Sequence, residues 1–267
     1  MTGEQTFLGL SGNALYKIDP RLSGNKLVDD QLKSYVSKNA FSAAATTEKG
    51  YIAVASDKGD LRLFDRLGIN AKTLVPALGD PIIGVDVSAD GRWVLSTTRT
   101  YLLLIDALQK EGPNAGKLGF EKAFAKDSKP QPRRLALTPA HVAQFQHETK
   151  APINFTPARF NTSTESSGKA PETSIITATG PFVVTWSLKK ILAGRKDPYS
   201  IKRYAEEVKA DDFKFNTDKN LIVALPNEVN MISNKALSRP TRQSIATPSR
   251  AGRSSALRKS DIVNSPY

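Results

Sequence analysis

Five stretches of the chain repeat one arrangement of apolar and polar positions: a short apolar run, a tight turn, a second apolar run and, usually, an Asp. They read QTFLGLSGNALYKID (5–19), GYIAVASDKGDLRLFD (50–65), GRWVLSTTRTYLLLID (91–106), TSIITATGPFVVTWS (173–187) and NLIVALPNEVNMIS (220–233). Ile52 and Val54, Leu61 and Leu63, Trp93 and Leu95, and Leu102 and Leu104 alternate with period two over lengths that suit strands rather than helices. The turns carry Ser11-Gly12-Asn13, Asp57-Lys58-Gly59-Asp60, Gly180-Pro181 and Pro226-Asn227; only Thr98-Arg99-Thr100 lacks Gly, Pro, Asn and Asp. Each of these stretches therefore predicts a β-hairpin.

A further strand precedes most hairpins, at Phe41 to Thr46, Ile83 to Val87 and Phe213 to Phe215. Each of these strands, with the two strands of the hairpin it leads into, reads as the second, third and fourth strand of one of the successive units. Leu74 to Leu78 and Ile201 to Tyr204 are candidates for the first strand of the unit that follows. The last residues of the five stretches step by 46, 41, 81 and 46 positions. A period near 40–45 residues with several strands per unit is the spacing of β-propeller blades. The long step fits one blade with two insertions, at 107–133 and 161–172. Within it, Lys110 to Arg134 reads as a flexible loop with Gly112-Pro113, Pro130 and Pro132. Arg134 to Gln146 and Ile153 to Phe160 read as two strands, and Asn161 to Pro171 as a Ser/Thr/Gly-rich loop. The fold class is all-β: a partial propeller of about four to five blades over 1–237, followed by a tail at 238–267.

Composition adds charge to this picture. The chain has 267 residues, enough to bury a sizeable core, and no cysteine. That excludes disulfides and thiolate metal sites and suits a reducing compartment. The start, MTGEQTFLGLSG, lacks a basic n-region, and no run approaches a membrane span. Net charge is +12. The tail holds Arg239, Arg242, Arg250, Arg253, Arg258 and Lys259 against Asp261, and Lys110 to Arg134 holds seven basic residues against three acidic ones. Such segments attract acidic partners, RNA or anionic lipid, although a solvated, solubilising surface has the same composition. The tail is Ser/Arg-rich with few large apolar residues and is predicted to be disordered. Ser244 follows Arg239 and Arg242 at basophilic-kinase spacing, and Thr247-Pro248 and Ser265-Pro266 are minimal proline-directed sites. Phosphorylation there would subtract positive charge.

Catalytic patterns fail on inspection. GLSGN at Gly9 to Asn13 is not a nucleophile elbow, and its Ser falls in a hairpin turn. GPNAGKL at Gly112 to Leu118 is one residue short of a phosphate loop and lacks Ser/Thr, so it reads as a flexible loop. His141 and His147 are the only histidines, six apart and without a third ligand, which fits surface or blade-edge polar residues better than a metal site. Asp19, Asp65 and Asp106 recur at strand ends, where carboxylates cap turns by accepting backbone N–H bonds. Aromatic residues make up 7% and do not interleave with basic ones, which argues against a base-stacking platform. These features predict no enzyme, no cofactor and no metal.

FLGLSGNALYKIDPRLSGNKLV, FSAAATTEKGYIAVASDKGDLRLFDRLGINAKT, LGDPIIGVDVSADGRWVLSTTRTYLLLIDALQ and PRRLALTPAHVAQFQHET resemble the C-terminal domain of the vacuolar import and degradation protein twenty-seven family, to which plant cypro-type proteins are similar. The resemblance covers residues 3 to 237 and implies a divergent WD-repeat propeller. Trp186 alone keeps the signature Trp, followed by Ser187; other blades end Ile18-Asp19, Phe64-Asp65 and Ile105-Asp106, and the usual Gly-His pair is missing. Family members carry a long region before this point, so the chain is expected to start partway through a blade. One partial and four fuller blades would leave strand edges unpaired. The resemblance implies a cytoplasmic scaffold or adaptor that binds protein partners, with the nucleus as a second compartment. In such propellers the loop after a blade's last strand and the loop between its second and third strands share a face. That places Arg21, Arg66, Asn70, Lys72, Asp90 and Arg92 together as binding candidates. The alternative is a basic electrostatic binder of RNA or anionic membrane through the tail and the 110–134 loop.

Overall fold

The computed structural model describes residues 6–24, 26–28, 32–47, 49–162, 172–208, 210–213, 220–224 and 229–233. Among the described residues eighteen strands form five antiparallel sheets, each a meander in chain order. Sheet A holds β1 (Phe7–Ser11), β2 (Ala14–Ile18) and β3 (Lys33–Ser34). Sheet B holds β4 (Phe41–Thr46), β5 (Ile52–Ser56), β6 (Leu61–Phe64) and β7 (Thr73–Val75). Sheet C holds β8 (Gly84–Val87), β9 (Trp93–Thr97), β10 (Leu102–Asp106) and β11 (Arg133–Leu135). Sheet D holds β12 (Arg159–Thr162), β13 (Glu172–Thr179), β14 (Phe182–Ser187) and β15 (Tyr199–Arg203). Sheet E holds β16 (Ala210–Phe213), β17 (Asn220–Ala224) and β18 (Val229–Ser233). The helices are α1 (Pro139–Thr149) and α2 (Leu188–Leu192). The strands of all five predicted hairpins pair, and the Pro226-Asn227 turn of the last lies outside the described residues. Among the described residues no helix is long and apolar enough to cross a membrane.

Neighbouring sheets stack in chain order. β4 packs on β8, β8 on β12, β1 on β4 and β13 on β16. The period-two pattern explains why both faces of a strand are buried. Alternate side chains of one strand serve opposite neighbours. Val54 joins Leu15 and Phe64 between sheets A and B, whereas Ala53 and Ala55 join Val85 and Ile105 between B and C. On β9, Val94 faces the second of these cores and Leu95 the next, with Leu104, Ile175 and Trp186 between sheets C and D. Blades stacked on both sides need apolar residues at every position of their middle strands.

Strand assignment differs from the sequence expectation in three places. The runs at Leu74 and Ile201 do not begin the next blade. Leu61 pairs with Val75, and Val184 with Ile201, so both are the outer fourth strand of the sheet before them. The connection of residues 65–72 is long enough only to turn back alongside β6. Second, Arg134 to Gln146 is not one strand. It is strand only to Leu135, and α1 follows, because the Thr138 hydroxyl accepts the His141 N–H and Pro139 occupies the first helical turn. Third, within Ile153 to Phe160 ladder pairing starts only at Arg159. The preceding N–H groups go elsewhere, Phe155 to the Arg99 carbonyl and Thr156 to that of Ala178. One sheet occupies the 81-residue step. Residues 163–171, the Ser/Thr/Gly-rich loop, lie outside the described residues.

Two turns show how local chemistry fixes the hairpins. Gly59 has φ +86°, and a Cβ there would lie 2.6 Å from the Asp80 carbonyl oxygen, so only glycine fits. At Thr98-Arg99-Thr100 the Thr98 hydroxyl does what Asn or Gly does elsewhere. It accepts the Tyr101 N–H at 3.2 Å and donates to the Tyr101 carbonyl at 2.8 Å.

Candidate functional site

Because each sheet is a meander, its connections alternate between two rims. One rim collects the first-to-second and third-to-fourth connections of sheets B, C and D, at 47 and 49–51, 65–72, 88–92, 107–132 and 188–198, together with the described residues 19–24 that follow β2 of sheet A. Contacts between blades confirm the grouping. Gly91 faces Thr47, Tyr51 and Leu118, and the Thr73 hydroxyl donates to the Gly119 carbonyl at 2.7 Å. On the opposite rim Phe41 N–H reaches the Gly12 carbonyl, Phe155 N–H that of Arg99 and Val208 N–H that of Gly180.

All six sequence candidates fall on the first rim. The strand renumbering leaves their grouping intact, since it shifts every loop by one place. Their chemical states differ. Arg21 grips Asp19 in a fork, Nε to Oδ1 at 2.9 Å and Nη2 to Oδ2 at 2.8 Å. The guanidinium, with the Arg21 N–H, holds the Asp19 carboxyl down at about 2. Lys72 lies 3.8 Å from Asp65. Arg92 stacks over Trp93 at 5.0 Å and reaches Asp106 at 3.4 Å, where Lys110 also arrives at 3.3 Å. Asp90 is a turn cap, accepting from the Ser88 hydroxyl and the Arg92 N–H. Arg66 and Asn70 are exposed. The recurring Asp at the end of the hairpin's second strand therefore tethers a cation in three successive blades. Asp19 and Asp106 also accept the N–H two residues on, from Arg21 and Leu108. In sheet D the equivalent residue is Ser187. It caps α2, accepting the Lys190 N–H at 3.4 Å.

The 107–132 insertion is not a flexible loop. Leu108 bridges Leu118, Gln109 N–H bonds the Lys117 carbonyl and Gly116 N–H the Gln109 carbonyl, which closes 109–117 as a hairpin. Leu118 and Phe120 then enter the core between sheets B and C. The Phe120 ring stacks on Tyr51 at 5.4 Å and 13°. Burial of these two side chains overrides the loop-like composition.

A latch fastens this insertion. The Tyr51 hydroxyl donates to Glu121 Oε1 at 2.6 Å, and Oε2 accepts the Leu118 N–H at 3.1 Å. The Tyr51 bond, then the Leu118 N–H, lowers the Glu121 carboxyl below its ordinary value. The same bond, then burial, pushes the Tyr51 phenol up to about 12 from 10.0. A raised tyrosine value means stabilisation that is complete below pH 10.0 and lost as pH rises toward 12. The lowered Glu121 value means stabilisation present above 4.5 and lost as pH falls through the folded value. Tyr51→Phe is therefore expected to cost about 1 kcal/mol near neutrality. The gap to the unaltered chain should close above pH 10.0. Urea midpoints of the two chains across alkaline pH measure this, and a constant gap refutes it.

Sequence reasoning missed α2 and the latch. The helix had a signal: Ser187 stands where other blades have Asp, and Leu188 and Ile191 follow at helical spacing. The latch joins residues 70 positions apart and had none. His141 and His147 lie on α1, not on a strand; His141 Nδ1 is 2.8 Å from the Tyr199 hydroxyl and 3.1 Å from that of Thr138. Among the described residues no three His, Asp or Glu side chains converge on a metal position. Ser244, Thr247 and Ser265 lie outside the described residues.

Comparison with known proteins places this geometry. The family model described as the VID27 C-terminal WD40-like domain matches residues 1–251. Vacuolar import and degradation protein 27 of Schizosaccharomyces pombe is 57% identical over 267 residues, all of this chain and 32% of that protein. Its Saccharomyces cerevisiae namesake is 45% identical over 246 residues, 91% of this chain and 31% of that protein. The chain thus spans about a third of the length of the curated relatives it matches. Among solved structures, the β-propeller domain of Myceliophteria thermophila Cps50 (Swd1) superposes with a TM-score of 0.55 at 13% identity, covering 86% of this chain and 62% of that one. Dihydro-heme d1 dehydrogenase NirN, in complex with DHE, gives 0.51 at 16% identity, covering 91% and 43%. At those identities the likeness concerns the fold alone.

Proposed function

The chain belongs to the VID27 C-terminal WD40-like domain family, and from there we propose that it is a non-enzymatic protein-interaction scaffold or adaptor of the vacuolar import and degradation type, working in the cytoplasm. The observation that carries this reading is the gathering of six exposed or half-exposed polar residues from three blades on one rim of a rigid stack. A binding face built on strand ends is held by the sheets behind it and needs no reorganisation to receive a partner. Arg66 and Lys72 are exposed cations near the two ends of one connection, 65–72.

Affinity purification of the nuclease-treated full chain, read by mass spectrometry, tests the proposal beside Arg66→Glu/Lys72→Glu. Protein partners are expected with the unaltered chain, with recovery about tenfold lower for the double reversal. Equal recovery rejects this face. A second reading draws on the basic insertion: electrostatic binding of RNA or anionic membrane. It predicts loss of all captured material on nuclease treatment or modest salt.

A further inference from the structure

Among the described residues sheet A stands at one end of the blade stack, with one face covered and the other open. Leu8, Leu10 and Leu15 point at sheet B and pack with Ile52, Val54 and Phe64. Side chains alternate along a strand, so Phe7, Gly9 and Ser11 of β1 and Ala14, Tyr16 and Ile18 of β2 point the other way. They form three rows across the sheet: Phe7 beside Ile18 and Leu27, Gly9 beside Tyr16, and Ser11 beside Ala14 and Ser34. Phe7 and Ile18 have equivalents in each of the next three blades. These are the residue before the recurring Asp, or before Ser187, and its partner on the preceding strand: Phe64 with Ile52, Ile105 with Val94, and Trp186 with Ile175. Every one of these is at most 4% exposed and packs against the blade before it. Phe7, by contrast, is 62% exposed and Ile18 is half-buried. A position that packs blade on blade three times is open in sheet A.

Two properties of this face select its occupant. First, its rows carry no charge. The lysines of the same strands, Lys17 and Lys33, are paired with Leu8 and Leu15 and point with them toward sheet B. On a chain of net charge +12, such a face lets two copies meet without opposing like charges. Second, the rows run from large to small along the strands, and the middle row is already filled. A Cβ at Gly9 would run into the Tyr16 ring, so that ring covers the glycine. A two-fold axis lying between two such sheets, and crossing the strands at the Gly9–Tyr16 row, sets large over small at both ends. Phe7, Ile18 and Leu27 of each copy then lie over Ser11, Ala14 and Ser34 of the other, and Tyr16 meets Tyr16. A further blade oriented like the others would instead bring aliphatic side chains to the middle row, as Leu15 meets Val54 between sheets A and B. In sheet A the Tyr16 ring occupies that place.

We infer that the open face of sheet A is a dimer interface, packed about this axis against the same face of a second copy of the chain. Dimer formation is independent of the scaffold reading, because the face and the candidate rim share no residue. Three strands about 4.8 Å apart and five residues about 3.3 Å apart make a face of about 15 by 17 Å. That is small beside the roughly 800 Å² a side of a standard interface, so the dimer is reversible, with a Kd on the order of 10–100 μM. Because the axis crosses the strands, the candidate rims of the two copies point in opposite directions. A dimer therefore presents Arg66 and Lys72 on both of its sides and can engage two partners at once.

Sedimentation equilibrium of the full chain, from about 1 μM to about 200 μM, tests this. A reversible passage from monomer to dimer is expected across that range, with no larger species. Phe7→Ser/Ile18→Ser should weaken self-association at least tenfold, and Phe7→Ser alone, at the more exposed position, should weaken it measurably. Urea midpoints show whether each variant is folded, and the single variant serves if the double one is not. Leu74→Ser/Leu78→Ser removes two exposed apolar side chains of sheet B and the segment after it, and should leave the dimer unchanged. A chain that is monomeric at every concentration overturns the inference. So does a dimer as tight in the folded Phe7 and Ile18 variants as in the unaltered chain, or one weakened equally by the Leu74 and Leu78 changes. Growth beyond two copies overturns it too, because blades then stack head to tail rather than about a two-fold axis. A chain that stays monomeric but binds a different protein through Phe7 and Ile18 likewise overturns it, since the occupant is then not a second copy.

Discussion

Replacing Trp186 with Ala is expected to lower unfolding free energy by about 3–5 kcal/mol, the largest effect of a single core truncation in this chain. Trp186 is the bulkiest fully buried side chain. It sits on β14 between sheets C and D, 4.6 Å from the Tyr199 ring, among Leu95, Leu104, Ile175 and Ile201. Strands on both sides are fixed by their own ladders, so the site cannot collapse around the void and the cavity term adds to the transfer term. Trp186 Nε1 has no hydrogen-bond partner among the described residues. Trp186→Phe therefore removes a buried unpaired donor as well as volume, and its cost should be about 1 kcal/mol. Urea unfolding of the two variants gives the comparison. An Ala variant no less stable than the Phe variant would show that blade packing does not depend on this side chain.

Replacing Phe120 with Ala is expected to cost about 3 kcal/mol, and to cost it locally first. Phe120 is fully buried, yet it belongs to an insertion rather than to a strand. Its ring, Leu118, the Tyr51–Glu121 bond and the Thr73–Gly119 bond hold 107–132 against sheet B. Without the ring the remaining hydrogen bonds are exposed to water, and the segment should open without unfolding the blades. Trypsin should then cut among Lys117, Lys122, Lys126 and Lys129 many-fold faster, while the cooperative urea transition of the sheets persists. Global unfolding at the same rate as cleavage would mean that the insertion and the blades are one cooperative unit.

The two variants mark where sequence reading succeeds and where it stops. Trp186 was legible, because it lies in a hairpin whose alternation and Gly180-Pro181 turn define two strands and their register. Phe120 was not, because Leu118, Gly119 and Phe120 sit among Lys, Gly, Pro and Asn in a stretch with no period. Only contact with Tyr51, 69 positions earlier, turns that stretch into structure. The segment after Arg133 failed for a related reason. Leu135 and Leu137 suit a strand, but Thr138 and Pro139 start a helix whose Phe145 stacks on Phe182 at 3.9 Å. The candidate rim fared better than the strand numbering behind it. An error of one strand moves every loop together, and loops two apart in a meander always share a rim.

The sequence by itself determined the hairpins, the turns of the first four, the period and the blade stack, because alternation and turn residues act over a few positions and repeat. It also carried the family, through long runs of matching residues. Tertiary structure decided which sheet each outer strand joins, that the insertion is ordered, and that Arg92 and Lys110 from separate connections meet at Asp106. Those outcomes depend on burial and hydrogen bonding between residues far apart in the chain, and neither quantity exists until the blades have stacked.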